Sequence, residues 1–281
     1  MTIRNLPSAV FGARPDVRSD IASGALNRWN AGVQFASGED AATISVLDVI
    51  GQDWWDGEGV TAKRISAALR SIGDRPVTVA INSPGGDFFE GLAIYNALRE
   101  HPNHVTVKIL GLAASAASVI AMAGDEVQIA RAGFLMIHNT WVVAMGDRNA
   151  FREVADWLEP FDAAAVDIYA ARSGLDPKKI AAMCDKETWI SGQQAVDQGF
   201  ADSLLATDEI ASGAQQSAVG RSLRAERQFD MLAQKAGVTR SEARELLASL
   251  KGGKPGAASQ GMQDAAIAAE VRNLLAIAKA L

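Results

Sequence analysis

Between residues 43 and 138, short apolar runs alternate with helix-periodic ones, and this limits the folds open to the 281-residue chain more than any other feature. TISVLDVIG sets Ile44, Val46 and Ile50 on alternating positions, the spacing of a strand. TAKRISAALRSIG then places Ile65, Leu69 and Ile72 at helical spacing, with Thr61 as the predicted N-cap. RPVTVAI predicts a second strand, DFFEGLAIYNALRE a helix and HVTVKIL a third strand. GLAASAASVIAMAG (residues 111–124) reads as a helix, and EVQIA and GFLMIH as two further strands. Strands separated by helices of about ten residues require repeated β-α crossovers and a largely parallel sheet, so the fold class is α/β. VTVAI and VTVKIL are apolar almost throughout, as strands covered on both faces should be.

Residues 149–172 carry Phe151, Val154, Leu158, Phe161, Ala165, Ile168 and Tyr169 on one broad face, predicting a long amphipathic helix that Pro160 should kink. Residues 176–183 and 191–198 read as short helices, and FADSLLA closes the domain. The division expected is a loosely ordered arm over residues 1–40, a domain over 41–206, and a linker with a helical tail over 207–281. Helices are expected at 222–235, at 239–251 (where Thr239 and Glu242 have capping-box spacing) and at 263–281, with GGKPGAASQG as a flexible linker. These tail pieces are too short to bury a core alone and are expected to dock on something, such as another subunit.

A net charge of −6 and a pI near 5.2 argue against nucleic-acid binding, since no excess of cations is present to displace counterions. The same balance weighs against reading AGVTRSEARELLASLK as a DNA-binding helix-turn-helix. The longest apolar run is about 13 residues and rich in Ala and Gly, too short to span a membrane. The N-terminus shows no continuous apolar segment of the secretory kind, and the single Cys184 cannot form an internal disulfide, so a reducing cytoplasm is expected. Cys184 is expected to serve as a small buried hydrophobe. Three histidines without clustered Cys or Asp give no zinc signature, and no metal or other cofactor is expected.

Three segments suggest chemistry. Ser115 lies where a strand meets a helix, among Ala113, Ala114, Ala116 and Ala117, so a substrate can approach its oxygen. Taken alone, these residues fit a helix cap with close alanine packing better than a nucleophile. In INSPGGDFFEG, Pro84, Gly85 and Gly86 follow a strand and precede a helix; adjacent glycines expose N–H groups, although a tight turn needs the same residues. The loop lacks both GxGxxG and a GK[ST] ending, so it is not a phosphate loop. His138 ends an apolar strand, where a histidine is either a core residue or the base a serine nucleophile requires.

Together NSPGGDFFEGLAIYNAL, GLAASAASVIAMAGD, FLMIHNT and ETWISGQQAVDQGFAD resemble the ClpP serine peptidase family (the S14-like peptidases) in order and spacing, over residues 43–205. DVIGQDWWDGEGVTAKR, the GFAD exit and the helical tail resemble the phage head-maturation (prohead) branch. The resemblance implies a ClpP/crotonase-like fold of stacked β-β-α units with a protruding handle helix at residues 149–172. It implies Ser115 as nucleophile, His138 as general base, and the backbone N–H groups of Gly86 and Ala116 as the oxyanion hole. The family's acid falls on Glu187, two residues before Trp189, with Asp185 as the rival. Implied partners are polypeptide substrates, whether capsid and scaffold proteins or unfolded chains, a homo-oligomeric ring, and an ATPase unfoldase in trans. WVVAMGD is expected to be a strand that adds to a neighbour and aligns substrate backbone. Ser118 is expected to bond a backbone carbonyl one turn back, and His101 and His104 to be solvated. Two other readings stay open: a crotonase-type acyl-CoA enzyme, and an assembly scaffold that retains a protease fold. A Ser–Lys pair using Lys63 or Lys108 is weaker.

Overall fold

A computed structural model of the chain describes residues 17–19, 21–31, 33–35, 42–51, 59–206, 210–211, 218–235, 238–239, 241–243, 245 and 247. In chain order its strands are β1 (Val17–Ser19), β2 (Gln34–Phe35), β3 (Ala42–Val46), β4 (Val77–Ser83), β5 (Val105–Ala114), β6 (Glu126–Ile129), β7 (Phe134–Ile137), β8 (Val142–Ala144), β9 (Thr188–Ser191), β10 (Ser203–Leu204) and β11 (Ile210–Ala211). Its helices are α1 (Ser23–Arg28), α2 (Ala62–Ile72), α3 (Phe88–Arg99), α4 (Ala116–Ala121), α5 (Arg148–Ser173), α6 (Pro177–Cys184), α7 (Gly192–Asp197) and α8 (Ala218–Lys235).

The central sheet runs β10-β6-β5-β4-β3, every neighbouring pair parallel. Its middle strands are the apolar runs read from sequence, and Val79, Ile81, Val107 and Ile109 are fully buried between layers. The flanking helices start and stop where local chemistry directs. The Thr61 side chain accepts from the Arg64 N–H to cap α2, and Gly73 ends that helix at φ 69°. Asp87 caps α3 by accepting from the N–H groups of Phe89 and Glu90.

One strand does more than periodicity suggests. The first half of β5 pairs with β6, but its second half, Leu112 to Ala114, pairs with β7. So the first four residues of the expected 111–124 helix are strand, and α4 is only six residues long. The partner changes where β4 and β5 lose register between Ile81 and Ser83. Buried Asn82 fills that gap by accepting from the Leu112 N–H, and a side chain at Gly111 would stand 2.9 Å from the Asn82 Oδ1. β7 in turn pairs antiparallel with β9, a strand within ETWIS that the sequence reading left unassigned.

The segment expected to be a loose arm contains three elements. β1 pairs with β8, α1 buries Leu26, and Trp29 is fully enclosed with its Nε1–H donating to the Asn82 carbonyl. β2 pairs with β11 beyond the central domain. α5 continues through Pro160 as one 26-residue helix. Its C-terminal half buries Ala165 and Tyr169, while its N-terminal half projects with Phe151 exposed, giving the protruding helix of the expected fold. The first tail helix packs back on the core: on α8, Arg227 makes a two-pronged ion pair with Asp48, at 3.1 and 2.7 Å. The DWWDGEG turn, apart from Gly59, the 252–261 linker and the 263–281 helix lie outside the described residues, as does much of the 239–251 helix.

Candidate active site

β5 ends at Ala114, and the chain turns into α4 through Ser115 at φ 54°, ψ −126°. That backbone state is rare for a residue with a Cβ and costs on the order of 1–3 kcal/mol. It is held by the Ser115 N–H, which donates to the Met136 carbonyl of β7 at 2.9 Å. The turn lifts the hydroxyl out of the packing that encloses its alanine neighbours: Ala113, Ala114, Ala116 and Ala117 are fully buried, whereas Ser115 is only partly so.

His138 follows β7, which lies beside β5, and its Nε2 stands 2.7 Å from the Ser115 Oγ. With the ring proton on Nδ1, the hydroxyl donates to Nε2, the arrangement that carries a proton away as Oγ attacks. Burial holds the imidazole below its ordinary pKa, while Glu187 and then Asp162 oppose that shift.

The two glycines complete the pocket. Gly85 is at φ 90°, and a Cβ there would lie 2.6 Å from the Ala114 carbonyl and 2.7 Å from the Ser115 Cβ. Gly86 is at φ 147°, and a Cβ would lie 2.1 Å from the Ile50 carbonyl. Ile50 grips the loop on both sides of Gly86: its N–H donates to the Gly85 carbonyl, and its carbonyl accepts from the Asp87 N–H. Gly86 lines the same pocket as Ser115 and His138, whose apolar wall is Phe88, Val119, Trp141 and Tyr169.

The acidic residues are placed less simply. Glu187 takes φ 48° as the chain turns from α6 into β9, and its exposed carboxylate accepts from the Trp189 Nε1–H at 3.2 Å. Asp185 accepts from the Asn139 Nδ2–H at 2.9 Å. Among the described residues no carboxylate is hydrogen-bonded to the His138 ring. Asp162, which the sequence reading did not single out, accepts from the Thr140 N–H at 2.6 Å and so anchors the segment just after His138. Its signal was present: Asp162 precedes Ala165 by three and Tyr169 by seven, placing a carboxylate in the buried stripe of α5.

Ser118 is fully buried; its hydroxyl donates to the Ser115 carbonyl at 2.6 Å and shares a 2.7 Å bond with the Tyr169 hydroxyl. Cys184 is buried, which pushes its thiol up to about 12. His101 meets the Arg75 carbonyl and His104 lies near Asp125 and Glu126, and neither histidine lines the pocket. Neither Lys63 nor Lys108 lines the pocket. Among the described residues no group of three or more His, Cys, Asp or Glu is placed to hold a metal ion, and no helix is long and apolar enough to cross a membrane.

A layered α/β chain with a serine–histidine pair at a strand-to-helix turn is built as a serine hydrolase. The sequence model of the Clp protease family matches residues 59–208, and the chain belongs to that family of serine peptidases. Similar proteins include the ATP-dependent Clp protease proteolytic subunit 3 of Rhodococcus jostii, 30% identical over 136 residues, which span 47% of this chain and 67% of that protein. The proteolytic subunit of Ligilactobacillus salivarius is 31% identical over 134 residues, 47% of this chain and 68% of the other. A solved ClpP1 mutant structure from Listeria monocytogenes superposes with a TM-score of 0.51 at 23% identity, covering 60% of this chain and 95% of that one, a likeness of fold.

Proposed function

We propose that this chain is an endopeptidase in which Ser115 is the nucleophile, His138 the general base and Glu187 the acid that orients the imidazolium. The observation that carries the reading is the 2.7 Å contact between the His138 Nε2 and a Ser115 Oγ held on a strained turn. Ser115 Oγ attacks the substrate carbonyl carbon as its proton passes to Nε2, and the carbonyl oxygen gains the negative charge. The N–H groups of Gly86 and Ala116 are the donors assigned to that charge; such donors contribute about 3–4 kcal/mol each to the barrier in related chemistry. His138 then returns the proton to the leaving amine, and water repeats the cycle on the acyl-enzyme. The apolar wall of Phe88, Val119 and Trp141 suits an apolar side chain before the scissile bond.

In the finer reading the substrates are capsid and scaffold proteins cut during phage head maturation, supported by the DVIGQDWWDGEGVTAKR segment and the helical tail. The working form is a homo-oligomeric ring in the host cytoplasm or procapsid, and any ATPase unfoldase acts in trans. Exposed Trp141, Met145 (81% exposed) and Phe151 (51%) around the projecting half of α5 support the oligomer.

The test is a fluorophosphonate probe with parent and Ser115→Ala proteins, alongside cleavage of co-expressed capsid proteins. The parent should be labelled and should process capsid protein; Ser115→Ala should do neither. Labelling without capsid processing would remove the head-maturation reading and leave the peptidase. An unlabelled parent would favour the acyl-CoA or scaffold alternatives.

A further inference from the structure

The strand that follows His138 is already paired with a piece of the chain's own N-terminal region. β1 lies antiparallel to β8, with Val17 opposite Ala144, Arg18 opposite Val143 and Ser19 opposite Val142. Among the described residues β8 pairs with β1 alone and belongs to no larger sheet. β8 begins four residues after His138, and the link between them supplies Asn139, Thr140 and Trp141 to the pocket wall. Through that link β8 is a strand beside the pocket, and the edge that β1 occupies is of the kind where an extended peptide gains main-chain hydrogen bonds by strand addition.

The direction of β1 is the informative detail. It enters opposite Ala144 and leaves opposite Val142, so it runs toward the His138 end of β8. A peptide presenting its carbonyl to Ser115 from an antiparallel strand must run the same way, its residues before the scissile bond approaching the hydroxyl in order. Just downstream, Ile21 and Ala22 join the apolar cluster in which Leu26 and Trp29 meet Leu112, Ala114 and Met136, close in sequence to Ser115 and His138. A side chain at Gly24 would lie 3.5 Å from the Glu187 Oε1. The segment thus leads from the β8 edge to the rim of the site and onward into α1.

Resting on the peptidase reading above, we propose that the segment through Val17–Ser19 is an internal peptide ligand of the β8 edge, and that it competes with extended substrates for the site. A two-stranded pair of three residues is marginal by itself. It persists because the chain tethers it, at an effective concentration on the order of millimolar. Such a ligand raises the substrate concentration needed for half-saturation and leaves turnover of the bound substrate alone.

The decisive measurement avoids catalysis. In the Ser115→Ala background, binding of a fluorescein-labelled peptide with the sequence of residues 12–21 is followed by anisotropy, in the full chain and in a chain lacking residues 2–19. The peptide should bind about tenfold more tightly to the shortened chain. The full-length triple substitution Val17→Gly, Arg18→Gly and Ser19→Gly should move affinity the same way, and it tests the idea should the deletion not fold. In the unsubstituted full chain, saturating peptide should accelerate amide exchange at residues 17–19 while residues 142–144 stay protected. Equal affinity in all three proteins, or unchanged exchange at 17–19, overturns the proposal. Because none of these readouts needs a nucleophile, loss of the peptidase reading would appear separately, as an unlabelled Ser115 in the parent.

Discussion

Burial disfavours the imidazolium form of His138, two carboxylates favour it, and burial prevails. As a base His138 must be neutral, so the acid limb of kcat/KM should fall below the usual histidine value of about 6.5. Glu187 is the larger of the two opposing influences. Glu187→Gln should therefore move that limb to still lower pH, since removing a nearby negative charge makes the ring harder to protonate. It should also cut kcat by about 10²–10⁴, because the imidazolium formed in the transition state loses the nearby charge proposed to stabilise it. Asp185→Asn, which alters a contact to Asn139 and no bond to His138, should leave turnover near that of the parent. A pH-rate profile of the three proteins checks both statements; a limb moving upward in Glu187→Gln would contradict the electrostatic account. The serine, the histidine and the glycine pair were visible in sequence because each sits at a boundary between two periodicities. Spacing also sets Asp162 in the buried stripe of α5, but its bond to Thr140 across 22 residues has no local signature.

At the scale of elements, the site is assembled by ends: β5 and β7 present Ser115 and His138, and the N-terminus of α3 secures the glycine loop. Asp87 does two things there. Its side chain caps α3, and its N–H holds the Ile50 carbonyl on one side of Gly86. Asp87→Ala should cost about 1 kcal/mol of stability through the lost cap. It should lower kcat more than it raises KM, because the loop it anchors carries an oxyanion donor assigned here. Chemical denaturation and steady-state kinetics on a short peptide test the two effects separately. A stability loss without any change in kcat would mean that the cap does not reach the loop. Helix and strand boundaries were largely readable from periodicity and caps, as the start of α2 at Thr61 illustrates. The strand half of residues 111–124 was not, because alanine and glycine carry little periodic signal and β7 supplies the missing partner.

In the whole molecule, α8 closes one side, its Arg227 pairing with Asp48, whose carbonyl accepts from the Ser83 hydroxyl beside the glycine loop. Phe151 on α5 and Met145, in the link just before that helix, are left in solvent. Substituting both with Asp should convert the proposed oligomer to smaller species in sedimentation velocity while the fold, by circular dichroism, persists. A monomeric parent, or a double variant that still assembles, would show that this face has no partner copy.

The amino-acid order alone determined the alternation of strand and helix and the burial of the central strands, and it set Ser115, Gly86 and His138 at element boundaries, because each of these follows from neighbours within a few residues. Only the tertiary structure decided that one edge of β5 serves both β6 and β7, that Asp162 reaches Thr140, that α8 folds back on Asp48, and that β1 lies along β8. Each of those depends on segments far apart in sequence meeting in one register, and local hydrophobic pattern encodes which face of an element is buried but not what it is buried against.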